Sequence, residues 1–132
     1  MSHTLPGPVV AISWGELFDK MTILEIKSER LVNETALGNV QRELAALREA
    51  LAASAIDRDR VSGQVAALAE VNRALWDVED AIRACEKRGE FGEAFIRLAR
   101  SVYTQNDKRA LIKKEINAIL GSPLVEEKSY EN

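Results

Sequence analysis

The sequence predicts an all-α fold: an antiparallel bundle of about four helices, formed by one domain over residues 1–132. Three observations predict it. Apolar residues recur at three- and four-residue steps through most of the chain. Turn-forming Gly, Asn, Asp and Pro interrupt those stripes at short intervals. Helix start and stop signals sit at the interruptions, among them Ser13 with Glu16 and the glycines at 89 and 121.

Pro6, Gly7 and Pro8 deny a helix to the leader, residues 1–12, whose Val9, Val10 and Ile12 are expected to form a short extended piece packed on the bundle. Ser13 and Glu16 form a capping-box pattern that starts the first helix near Trp14. Its apolar stripe is Trp14, Leu17, Phe18, Met21, Leu24, Leu31 and Val32, with Glu25 pointing into it. Ile23 and Ile26 fall outside that stripe, which implies that this helix is covered on more than one side, by neighbouring helices or by a second subunit. Residues 33–39, with Gly38, read as the connection to a second helix. There Leu37, Val40, Leu44, Leu47 and Leu51 alternate steps of three and four, a heptad seam suited to meeting another helix.

A turn at residues 57–59 offers capping carboxylates to a third helix carrying Leu68, Val71, Leu75, Val78, Ile82 and Cys85. It should end at Gly89, after Lys87 and Arg88, whose charges suit the negative end of the helix dipole. The second and third helices are expected to form a long hairpin. A final helix starts after Gly92 and runs towards Gly121; the poor helix formers at residues 104–107 could break it. The tail, residues 122–132, should wrap the surface or fray after Pro123.

Composition excludes several function classes. A net charge of −3 gives no general attraction to nucleic acid or to an anionic membrane surface. No segment is apolar enough to insert in a membrane, and the N-terminus lacks the basic region of a secretion signal. Cys85 is the only cysteine, so an internal disulfide is impossible and a reducing, cytoplasmic setting is expected. The single histidine, His3, argues against a zinc site and against serine or cysteine nucleophiles paired with histidine. Neither a metal nor a cofactor is expected.

The clearest functional signal is polarity where apolar residues belong. On the final helix Phe95, Leu98, Ala99 and Val102 share a face with Asn106, Arg109, Lys113 and Asn117. On the third, Asn72, Trp76, Glu79 and Arg83 run beside the apolar stripe. With Glu25 these form an inward or edge-facing set whose charges can balance. Such a set is either a network that fixes helix register or a pocket in which Arg83, Arg109 and Lys113 hold an anionic metabolite, with Glu25 or Glu79 as the acid-base group. A break at residues 104–107 would instead turn Lys113 to solvent. A magnesium site from Glu25, Glu29, Glu79 and Asp80 has too few carboxylates for the helical nucleotide pyrophosphohydrolase pattern.

The segments ISWGELFDKMTILEIKSERL, VNRALWDVEDAIR, FIRLARSVYTQNDKRALIKKEIN and GSPLVEEKSY resemble a small bacterial family of uncharacterised helical domains. The resemblance covers most of the chain and implies a compact, cytoplasmic helical protein; it assigns no activity and no site residues. The function expected is a non-enzymatic interaction or regulatory module, self-associating as a homodimer or binding a protein partner through the seam from Leu37 to Leu51. The alternative is a bundle that binds or transforms a small anionic metabolite.

Overall fold

The computed structural model describes residues 4–127. The chain forms four α-helices, α1 (Trp14–Arg30), α2 (Glu34–Ala52), α3 (Ser62–Arg88) and α4 (Glu93–Leu120), with a short 3-10 turn at Arg58–Val61. The fold is all-α, and among the described residues no helix is long and apolar enough to cross a membrane. His3 and residues 128–132, the end of the expected tail, lie outside the described residues.

Local chemistry sets the helix ends. Ser13 caps α1 by accepting from the Glu16 amide, and Asn33 caps α2 by accepting from the Ala36 amide. The segment expected as a connection, residues 33–39, is therefore already helical from Glu34, and only residues 31–33 link α1 to α2. Gly38 does not stop the helix, because a cap four residues before a long seam outweighs one poor helix former. Asp57 caps the 3-10 turn by accepting from the Asp59 amide. Gly89 and Gly121 close α3 and α4, each at φ 66°, where a side chain would be strained. The final helix is continuous through residues 104–107: Thr104 donates to the Arg100 carbonyl within the helix (3.2 Å) rather than capping a new one.

The pairing of helices differs from the expected one. The long hairpin is α3 with α4, joined through Gly89 and Gly92, while α2 lies against α1 and none of its Cα atoms comes within 8 Å of α3. The loop and 3-10 turn after α2 carry the chain away before α3 begins, so adjacency in sequence does not become adjacency in space here. α1 contacts all three other helices. Its leucine-rich side joins a core with Val40, Leu44 and Leu51 of α2, Val61, Leu68 of α3 and Ile116 of α4. Its opposite side, which carries Gly15, Asp19 and the buried Ile26, faces the α3–α4 hairpin. The second covered side expected of this helix is the one that meets the α3–α4 hairpin. Arg60 donates to the Ile119 carbonyl (2.6 Å) and ties the 3-10 turn to the end of α4.

The heptad seam is spent inside the chain. Val40, Leu44 and Leu51 are buried, and Leu37 and Leu47 are half-buried. Leu44→Asp is therefore expected to unfold the protein rather than to free a subunit. Its loss in a denaturant titration should exceed the roughly 2–5 kcal/mol typical of a buried Leu→Ala. Unchanged stability with altered association would place Leu44 at an interface instead. The leader does not pack as expected: Val9 is 98 % exposed, and Leu5 and Val10 are also exposed. Val32, expected on the α1 stripe, is exposed beyond the helix end at Arg30.

Candidate functional site

The interior polar residues gather where α1 crosses α3 and α4, and Asp19 is their centre. Its carboxylate is 1 % exposed, and Arg109 grips it with two hydrogen bonds, Nε to Oδ1 at 2.8 Å and Nη2 to Oδ2. The amide nitrogen of Asn72 donates to Oδ1 (3.0 Å) and to the Thr22 hydroxyl (2.9 Å), and Thr22 donates to the Asp19 carbonyl (2.8 Å). Three helices thereby meet at one carboxylate, and each buried donor or acceptor named so far has a partner.

Burial alone would raise the Asp19 pKa. The hydrogen bonds from Arg109 and Asn72, with the charges of Arg109 and Lys113, outweigh it and hold the carboxyl below the usual range. For Arg109 the hydrogen bond to Asp19 raises the pKa against the opposing effect of burial, with Glu16 and Glu79 adding smaller attractions. Both groups are charged, and each is the other's main partner.

A second layer lies one turn further along α4. Lys113 donates to Glu16 (2.6 Å) and stands 3.8 Å from both Asp19 and Glu126. Glu16 therefore does not close the capping box expected of it; its side chain is engaged by Lys113, and Ser13 alone caps α1. Ser13 also donates to Glu126 (2.6 Å), so the C-terminal segment folds back over the start of α1. Ala11, Ile12, Leu124 and Val125 line a shallow cleft there of about 380 Å³. Asn117 accepts from the Gly15 amide (2.7 Å), a group that the start of a helix leaves unsatisfied. A Cβ built on Gly15 would come within 2.6 Å of the Lys113 carbonyl oxygen, so glycine is what lets α1 and α4 approach this closely. The Asn117 side-chain nitrogen is buried and has no hydrogen-bond partner among the described residues.

Of the residues expected in the cluster, Asn72, Arg109, Lys113 and Asn117 come together. Asn106 is exposed at its edge, 3.4 Å from Arg109. Glu25 is not a member. It stands half-buried, 3.7 Å from Arg48, because it lies on the α2-facing side of α1 rather than on the side that meets α4. Glu79 and Arg83 are exposed further along α3. Trp76 is half-buried, with the Arg30 guanidinium 5.8 Å from its ring centroid. Glu29 is also exposed and pairs with Arg73 (3.7 Å), and no group of three or more metal-ligating side chains forms among the described residues. Sequence reasoning missed Asp19, Thr22, Ser13, Glu16 as an ion-pair partner, and Glu126. A usable signal existed for Asp19: it is two helical turns from Ile26 and one from Gly15, on the second covered side of α1.

Among the described residues, Arg109 and Lys113 are paired with Asp19, Glu16 and Glu126. The chemistry of the cluster is that of a lock between α1, α3, α4 and the C-terminal segment. Residues 9–132 match the model of a family of unknown function (DUF6165). Neither the curated proteins nor the solved structures gave a match.

Proposed function

We propose that this chain, which belongs to the DUF6165 family of unknown function, is a non-enzymatic helical interaction module that self-associates. One observation carries the reading: apolar side chains remain uncovered along the outer part of α4 while the interior cations are fully engaged. Tyr103 is 62 % exposed and Ile96 about half exposed, two turns apart on one side of α4, and Phe91, about half exposed, lies just before the helix begins. The free, buried Cys85 suits a cytoplasmic setting.

Sedimentation equilibrium of the purified protein tests the reading. A concentration-dependent dimer is expected; a monomer at every concentration reached would overturn it. The competing reading, a site for a small anionic metabolite, draws support from the Asn117 nitrogen, which has no partner among the described residues. It is the weaker one because Arg109 and Lys113 already have carboxylate partners. A thermal-shift screen against anionic metabolites should therefore be flat, whereas native-state binding at a hundredfold excess over Kd would add about 2.7 kcal/mol.

A further inference from the structure

We infer that the distal part of the α3–α4 hairpin docks on the same part of a second copy, antiparallel and about a two-fold axis. The inference rests on the self-association reading and specifies its surface. It begins with length. α1 has 17 residues, whereas α3 has 27 and α4 has 28, so at about 1.5 Å per residue α1 is roughly 15 Å too short to cover the hairpin. Among the described residues, the polar contacts of α1 with α3 extend no further than Asp77, which accepts from Arg30.

Beyond that point the face that α1 covers continues uncovered. On α4 it continues from Asn117 and Lys113 back to the exposed Tyr103, Ala99 and Ile96 and to the half-buried Phe95, whose ring packs edge-on against Phe91 (5.3 Å between centroids). On α3 it continues from Asn72 and Trp76 to Glu79 and Arg83, both exposed and neither in an ion pair among the described residues. A hairpin of two helices is a single layer and needs a second one to bury such a face. In the proximal half α1 supplies it; in the distal half a second hairpin of the same shape would.

The charges select the partner. Glu79 and Arg83 lie one turn apart on one side of α3. Opposed to themselves in antiparallel order, each glutamate meets the arginine of the other copy, so the pattern is complementary to itself about a point level with Ala81. On α4 the corresponding point is Ala99, with Phe95 and Tyr103 four residues to either side, so an aromatic ring from one copy meets one from the other. One axis can pass through both points. Ala81 lies seven residues before the end of α3 at Arg88, and Ala99 six residues after the start of α4 at Glu93, which puts them level within about one residue rise. On α4 the residue at the crossing is Ala99, which permits close approach; on α3 Ala81 marks only the level, because it lies on the opposite side of the helix from Glu79 and Arg83.

The experiment is a charge exchange read by sedimentation equilibrium on the full chain. Glu79→Arg and Arg83→Glu should each weaken the dimer about tenfold or more, since each opposes like charges twice across the axis. The double variant E79R/R83E restores both pairs and should recover association to within about threefold of the original. Both side chains are exposed, and Glu79 gives Arg109 only one of its smaller attractions, so circular dichroism and thermal unfolding check that each variant remains folded. In a Cys85→Ala background, Ala99→Cys should form an intermolecular disulfide under mild oxidation, because a residue at the axis meets its own copy. A dimer unaffected by either single reversal, weakening without rescue in the double variant, or no cross-link at position 99 would overturn this docking and leave self-association standing. A monomeric parent protein would overturn both.

Discussion

Asp19→Ala is expected to cost about 3–5 kcal/mol, because it leaves the guanidinium of Arg109 and the amide of Asn72 without their buried acceptor. Denaturant titration measures the loss, and a change below about 1 kcal/mol would mean that the carboxylate is dispensable. Asp19→Asn should be nearly as harmful: it keeps the shape but sets a neutral amide against a cation and a second amide. The variant also removes a pH dependence. Since the folded-state pKa of Asp19 is lowered, its contribution is fully present above the ordinary carboxylate range and is lost as the pH falls through that range towards the lower folded value. The parent protein should therefore lose stability more steeply than D19N on acidification from about pH 5 downwards. Parallel stability curves would show that Asp19 does not carry that slope.

Gly15→Ala should destabilise the protein by about 1–3 kcal/mol, the cost typical of an overpacked contact, although the same change inside an open helix is normally favourable. The new Cβ would lie 2.6 Å from the Lys113 carbonyl oxygen and 3.0 Å from Asn117 Oδ1. Backbone cannot swing aside, so α1 must move away from α4, and the hydrogen bond from the Gly15 amide to Asn117 weakens with it. Gly38→Ala provides the opposite sign. It lies within α2, where a Cβ would meet only the end of the Arg42 side chain at ordinary contact distance, 3.6 Å. A gain of about 0.5–1 kcal/mol is expected there. Equal effects at the two glycines in thermal or chemical unfolding would remove the argument for a close crossing.

Much of the architecture was legible because the chain punctuates its helices with local chemistry. Ser13, Gly89, Gly92 and Gly121 mark boundaries that depend on neighbouring residues alone. Which helices pair is not local. The seam of α2 looked like half of an α2–α3 hairpin, since periodicity records that a face is buried and not what buries it. The polar cluster was legible on α3 and α4, where Asn72, Arg109, Lys113 and Asn117 interrupt apolar stripes. It was illegible on α1. The dominant leucine stripe drew attention to Glu25, while Asp19 sits on the second covered side, flanked by a glycine and a threonine that carry no hydropathy signal. Glu126 could not be found by periodicity at all, because it joins the cluster from a segment without regular structure.

The most direct test of the interior lock is a double-mutant cycle on Asp19 and Arg109, with each changed to alanine singly and together and unfolding free energies measured in denaturant. Two groups that satisfy each other should give strongly non-additive effects, the double variant being more stable than the sum of the single losses by about 2 kcal/mol or more. Additive losses, with Arg109→Ala close to neutral, would contradict the lock and leave Arg109 available for an external anion.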